Sequence, residues 1–331
     1  MIRLDTSTVN LVWTTDWHLS DNPPGRRQDD YRQALFAKIE FVRALTEKVE
    51  GVALCGADVF HIKNPKSTAN SFSLLVEILH ALRRFPHQGI WGTVGNHDLS
   101  YDSMSTLPNQ PLGLLIAAGV YRNIIGQPVV FTNRENTVRV QIESFPYANG
   151  EETLKNLLAT GKRPDGITHR VGLVHAYGMP GNGGDMFGER KIGYSELKDL
   201  DFDFLLWGHD HSRHETETVG NITHINLGSM ARAAFASDEI ERPVVATVLS
   251  FAPGGILYTE HPIPVKPLEI AFKVADKGVE AVAKTDEVTE FFTEMDTAVG
   301  GIESSDPREV LAQLCPDDKP LLDLVIQLCE L

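Results

Sequence analysis

The chain has 331 residues, with 30 Lys plus Arg against 45 Asp plus Glu and a formal net charge of −15 at pH 7. A surface of that sign is repelled from nucleic acid and anionic membrane over most of its extent, so any phosphate it handles has to be held by something other than net charge. At 42% hydrophobic and 23% charged residues the composition is globular rather than disordered. The cysteines Cys55, Cys315 and Cys329 form no C-x-x-C pair, which excludes a disulfide framework and a thiolate zinc site.

The opening residues MIRLDTSTVN lack the basic and apolar regions of a signal peptide, and no apolar stretch approaches the ~18 residues that span a bilayer. A cytoplasmic protein with no membrane partner is expected. Val9 to Thr15 reads as a buried strand, and from Asp29 to Val49 the residues Leu35, Ile39, Val42, Leu45 and Val49 recur at helical spacing. Gly51 to Cys55 is a second strand. Ser67 predicts the N-cap of a helix carrying Phe72, Leu75, Val76, Leu79 and Leu82, and Ile90 to Val94 is a third strand.

Strand and helix in alternation imply a parallel sheet covered by helices. After a short helix beyond Pro111, two β runs, Pro128 to Thr132 and Thr137 to Glu143, flank the polar turn Asn133 to Asn136. Strands follow at Val171 to Val174, Phe202 to Trp207, His214 to Val219, Ile222 to Leu227, Pro243 to Phe251 and Gly255 to Thr259. The expected fold class is α/β, two packed mixed β-sheets flanked by helices. The prolines from Pro262 to Pro267 mark a boundary, with a main domain over 1–266 and a small C-terminal α+β domain over 267–331. The latter ends in an amphipathic stretch, Pro320 to Leu331.

The chemistry lies at the strand ends. Asp16 and His18 follow the first strand in LVWTTDWH, Asp58 the second in VALCGAD, and Asn96 and His97 the third in TVGNHD. His175 ends a later strand in VGLVHA, and His209 and His211 another in FLLWGHDH. Ligands of open α/β sheets bind outside the carboxyl ends of the strands, so these side chains should converge. A mixed Asp, Asn and His set without cysteine suits Mn, Fe, Co or Zn, and eight such groups are too many for one tetrahedral ion. They suit two ions about 3.5–4 Å apart sharing a carboxylate.

In order, D-x-H, G-x-D, G-N-H-D, H and G-H-x-H resemble the calcineurin-like metallophosphoesterase superfamily. The resemblance implies that Asp16, His18 and His211 hold one ion, that Asn96, His175 and His209 hold the other, and that Asp58 bridges them. It also implies that His97, oriented by Asp98, protonates the leaving oxygen. Two divalent ions are implied, Mn²⁺ ahead of Fe, Co, Zn or Mg. The second motif, Gly56-Ala57-Asp58-Val59-Phe60-His61, is similar to that of the SbcD-type DNA repair nucleases, the bacterial form of the meiotic recombination eleven nuclease, and in that branch the histidine contacts the scissile phosphate.

His18-Leu19 with Arg27 and Asp30, and Asn226-Leu-Gly-Ser-Met-Ala-Arg232, resemble further segments of the same branch, as does the strand leading out from Ile263. The resemblance then implies DNA as substrate, a homodimer and an SMC-like ATPase partner docking on C-terminal helices. The main domain becomes the nuclease domain, and residues 267–331 a capping or partner-docking domain. Their acidic residues, Glu280, Glu287, Glu290 and Glu294, make a poor cap for DNA. Arg26, Arg27, Lys63, Lys66, Arg190, Lys191 and Arg213 fall in loops near the crevice, where they would guide a strand. Trp17 and Trp207 read as core, and the glycine-rich stretch Gly178 to Gly188 as a mobile rim loop that binds no nucleotide. The competing readings are a phosphatase or cyclic-nucleotide phosphodiesterase on the same fold, and a metal-stabilised scaffold that binds a partner protein.

Overall fold

Two packed mixed β-sheets flanked by helices make up the architecture, seen in a computed structural model that describes residues 1–63, 67–186, 189–233 and 242–273. The domain expected over 267–331 lies outside these residues from 274 onward, with Cys315, Cys329 and the amphipathic end. In chain order the strands are β1 (Ile2–Arg3), β2 (Val9–Thr14), β3 (Val52–Cys55), β4 (Ile90–Gly92), β5 (Tyr121–Asn123), β6 (Val129–Thr132), β7 (Arg139–Phe145) and β8 (His169–His175). They continue as β9 (Gly178–Met179), β10 (Gly184–Met186), β11 (Glu189–Gly193), β12 (Phe204–Gly208), β13 (Glu217–Val219), β14 (Ile222–Asn226), β15 (Val245–Ala252) and β16 (Gly255–Pro262). The helices are α1 (Tyr31–Lys48), α2 (Phe72–Arg83), α3 (Pro111–Ala117), α4 (Gly150–Leu158) and α5 (Leu268–Ala271).

One sheet has the order β16-β15-β2-β3-β4-β5. Its strands β2 to β5 run parallel, joined by crossovers through α1, α2 and α3, and β15 pairs antiparallel with β2. The other has the order β1-β6-β7-β8-β12-β14-β13, with β7, β8, β12 and β14 parallel. Side chains alternate between the faces of a strand, and that parity decides the packing. Val9, Leu11 and Trp13 of β2, Val52 and Leu54 of β3, Val171 and Leu173 of β8, and Phe204 and Leu206 of β12 meet between the sheets. Val12, Ala53 and Cys55 face the other way, onto a second core under α1 and α2. Val174, Leu205 and Trp207 turn outward onto a third, with Leu154 and Leu157 of α4.

Helix α2 departs from the expectation in two respects. Its N-cap is Ser71, whose hydroxyl accepts from Leu74 N, while Ser67 caps only the 3₁₀ turn Thr68–Asn70 through Ala69 N. Its buried line is Leu74, Ile78 and Leu82; Phe72 is 87% exposed and Val76 50%. With apolar residues on nearly every side of FSLLVEILHALR, the sequence alone does not select a face. The glycine-rich stretch is also more ordered than expected: β10, β11 and β9 form a three-stranded sheet of their own.

Candidate metal centre

The parallel strands β2, β3, β4, β8 and β12 deliver their carboxyl ends to one place, and the loops beyond them turn sharply there. Asp16, His18, Ala57, Asp58 and His209 all have positive φ, between 47° and 89°. Strain of this kind in non-glycine residues persists only where surrounding structure enforces it, and it gathers at functional sites. Enforcement is visible. Asp16 N donates to Ala57 O, His18 N to Asp58 O, and His209 N to both Asp16 carboxylate oxygens at 3.2 Å.

The strand-end side chains gather in overlapping groups. Asp16, His18 and His211 bring their donor atoms within 4.8 Å of one another, as do Asp58, His175 and His209, and His18, His61 and His97. His18 Nε2 lies 2.8 Å from His211 Nε2, and Asp58 Oδ2 lies 3.8 Å from His18 Nε2 and 3.3 Å from His175 Nε2. Asp58 therefore stands between the first two groups. Asn96 Oδ1 is 3.3 Å from His175 Nε2 and 3.1 Å from His209 Nδ1. His175 Nδ1 is 2.7 Å from Gly56 O, and since a carbonyl only accepts, Nδ1 carries the proton and Nε2 is turned to the site.

These residues fit divalent ions on three counts. The donors are carboxylate, amide oxygen and imidazole, the set that borderline ions take. His209 turns Nδ1 toward the donors, 3.1 Å from Asn96 Oδ1, while Nε2 faces Glu189 Oε1 at 3.4 Å, so a proton on Nε2 leaves the Nδ1 electron pair for the site. Gly95 keeps space open, since a Cβ there would lie 2.0 Å from Asp58 Oδ1 and 2.7 Å from His175 Nε2.

Electrostatics separate the two buried carboxylates. Burial pushes Asp16 up to about 7, opposed by His175 and aided by Asp58. Burial works against charge on Asp58 as well, but His175, His97 and His18 outweigh it and hold that carboxyl well below its usual range. His175 is the counterpart: burial disfavours its charge, yet Asp58 and Asp16 raise it to about 9. Burial lowers His18 well below 6.5, His61 to about 3 and His211 to about 4, so these rings are neutral donors of electron pairs.

Of the three residues expected to act in catalysis, His97 and His61 lie beside the donors. His97 Nδ1 is 2.6 Å from the His61 carbonyl, and His97 N donates to Asp58 Oδ1 at 3.0 Å. The His61 ring lies 5.4 Å from that of His18 and 5.8 Å from that of His97, nearly parallel to the latter. The expected orienting contact from Asp98 to His97 is replaced by that His61 carbonyl. Asp98 instead accepts from the backbone N–H groups of Asp58, Val59 and Gly95, at 2.9, 3.1 and 3.1 Å. It ties the loop after β3 to the loop after β4.

The cations expected to guide a strand are largely engaged. Arg27 is buried and pairs with Asp29, Arg213 pairs with Glu260, Arg190 with Glu196, and Lys63 lies 3.7 Å from Asp102. Lys191 sits over the Tyr177 ring at 4.8 Å, and Lys66 lies outside the described residues. Trp17 and Trp207 are core, as expected, with their N–H groups on Thr14 and His224. Sequence reasoning missed the wall around His209, formed by Tyr177 at 4.3 Å, Tyr147 at 5.3 Å and Glu189. Tyr147 and Tyr177 each fall two residues after a parallel strand, β7 and β8, so the strand-end rule that found the ligands would have found them too.

The family model of the calcineurin-like phosphoesterases matches residues 9–213, from β2 to just beyond His211. Among solved structures the chain is similar to a 5′-nucleotidase precursor from Thermus thermophilus, at 15% identity and a TM-score of 0.42, over 87% of this chain and 59% of that one. The chain thus spans about three-fifths of that structure's length. It is similar also to a conserved uncharacterized protein, a predicted phosphoesterase, from Streptococcus pneumoniae, at 11% identity and a TM-score of 0.30, over 77% of this chain and 99% of that one. No curated protein matches.

Proposed function

The chain belongs to the calcineurin-like phosphoesterase family, and on that premise we propose that it is a two-metal phosphodiester hydrolase acting on DNA, of the SbcD type. Asp16, His18 and His211 would hold one divalent ion, Asn96, His175 and His209 the other, with Asp58 shared. Bound there, such ions, Mn²⁺ foremost, supply Lewis acidity at the phosphate and make water acidic enough to attack near neutral pH. The remaining tasks fall to side chains. With Nδ1–H given to the His61 carbonyl, His97 Nε2 is the atom that passes a proton to the leaving oxygen. The His97 N–H on Asp58 fixes the distance between acid and shared carboxylate.

His61 carries the diester reading. It lies three residues beyond Asp58 on the same loop, orients the acid through its carbonyl, and sets a neutral ring beside His18 and His97. A neutral imidazole N–H there donates to a phosphate oxygen as charge develops on it. The test is purified protein with Mn²⁺ on single- and double-stranded DNA, a small diester and a phosphomonoester. DNA cleavage is expected, with His61→Asn lowering kcat on diesters by about 10²-fold while both ions are retained. Intact DNA beside a well-cleaved small diester would sink the nuclease reading, and cleavage of the monoester alone would sink the diester reading. The pairing of Arg27, Arg190 and Arg213 with acids favours a second reading, a phosphatase or cyclic-nucleotide phosphodiesterase with a small substrate.

A further inference from the structure

The segment from Leu227 to Arg232, between β14 and β15, is polarised by its surroundings. On one side its donors meet the site. Ser229 N donates to His211 O at 3.1 Å, Met230 N to Thr15 O at 3.1 Å and Ala231 N to Asp16 O at 3.3 Å, and the Ser229 hydroxyl donates to Asp16 O at 2.9 Å. On the other side its carbonyls meet buried cations from three parts of the chain. Arg242 donates to Leu227 O at 3.4 Å and Ser229 O at 2.7 Å, Lys38 of α1 to Met230 O and Ala231 O, and Arg27 to Arg232 O at 2.9 Å. All three are less than a tenth exposed.

Burying three cations is costly unless each is compensated; the Asp29 carboxylate pairs with Arg27, and peptide carbonyls of this segment accept from all three. Cation, peptide dipole and loop carbonyl then lie in series, and each hydrogen bond in such a chain strengthens the next. Close approach is built in as well. Gly228 has φ +68, and a Cβ there would lie 2.3 Å from His211 O; Arg232 has φ +51. Two such series are complete, Arg242 through Ser229 O and Met230 N to Thr15 O, and Lys38 through Met230 O and Ala231 N to Asp16 O, one of the strained residues with His18 two residues beyond; Ser229 N adds a bond to His211 O from the same segment.

We infer that Lys38, Arg27 and Arg242 are positioning residues, which clamp the 227–232 segment and through it set the loops that carry Asp16, His18 and His211. Loosening the clamp releases that group of donors while Asp58 and His175, on other loops, stay in place; His209 shares the His211 loop and is held besides by its N–H on Asp16. The inference rests on the two-metal reading for its effect on ions, but not for its effect on the loops. Lys38→Met and Arg242→Gln in the full chain are compared with Ile78→Ala, a change in α2 that removes packing from the core shared with Met230 and Ala231 but none of the clamp's hydrogen bonds.

Hydrogen exchange of the metal-free proteins is measured first. In both clamp variants the amides of 229–231 should exchange at least tenfold faster, with no such change in Ile78→Ala. Mn²⁺ calorimetry should then show one of two ions bound at least tenfold more weakly and the other unchanged. Exchange at 229–231 equal to wild type, or loosened as much by Ile78→Ala, would overturn the clamp; so would equal weakening of both ions. If the wild type takes up fewer than two ions, the two-metal reading falls, and the exchange comparison still decides the clamp.

Discussion

Asp98 accepts N–H groups from Asp58, Val59 and Gly95, so its substitution loosens two strand ends at once. Asp98→Asn keeps the shape but turns an amide NH₂ toward one of those donors. A loss of about 1–3 kcal/mol in denaturant unfolding is expected, the cost of one unsatisfied buried donor. A second residue-scale effect is at His224, stacked on Tyr194 and buried. Burial holds its imidazole at about 4, against 6.5 for the free side chain. Between those values the unfolded chain binds the extra proton, so the stability is fully present above pH 6.5 and is lost as pH falls toward 4, by about 3 kcal/mol. His224→Gln should flatten the pH dependence of the urea midpoint over that range; an unchanged profile would count against it. Residues at this scale were unevenly legible. Strand-end spacing located the donors, whereas the partners of Asp98 depended on the paths of two loops that no spacing encodes.

Helix α2 tests what packing, rather than propensity, contributes at the scale of an element. Leu74, Ile78 and Leu82 are buried, so Ile78→Ala should cost about 2–5 kcal/mol, whereas Phe72→Ser, at an 87% exposed position, should stay within about 0.5 kcal/mol. Thermal unfolding of the two variants checks the ordering, and a larger loss at Phe72 would contradict the observed helix phase. Elements were most legible where period and surroundings agree: β2, β3, β8 and β12 are short apolar runs buried on both faces, and α1 spaces its buried residues regularly. They were least legible where composition leaves the choice open. The apolar residues all round α2 leave its face to its neighbours, and the small sheet of β9, β10 and β11 depends on pairings between Gly178–Met179 and Ile192–Gly193 that a glycine-rich sequence does not announce.

For the whole molecule, a net charge of −15 coexists with a centre that gathers two buried carboxylates and a ring of imidazoles. Arg27, Arg190 and Arg213 near the crevice are paired with acids, so DNA binding by the isolated chain should be weak. The slope of log affinity against log salt should be shallow, with few phosphates neutralised by side chains. A steep slope, or tight binding without metal, would contradict that. The two-sheet architecture was legible because parallel strands with apolar parity place Asp16, Asp58, Asn96, His175 and His209 at one edge; the pairing of surface charge was not, since it depends on residues as distant as Arg213 and Glu260. The most direct test of the two-metal hydrolase is the metal content of Mn²⁺-loaded wild type, His97→Ala and Asp58→Ala, measured alongside diester hydrolysis. Two ions per chain with hydrolysis are expected in the wild type, two ions with activity reduced about 10²–10⁴-fold in His97→Ala, and loss of both ions and activity in Asp58→Ala. Hydrolysis by a wild type that holds one ion or none, or an Asp58→Ala variant with full metal content, would contradict it.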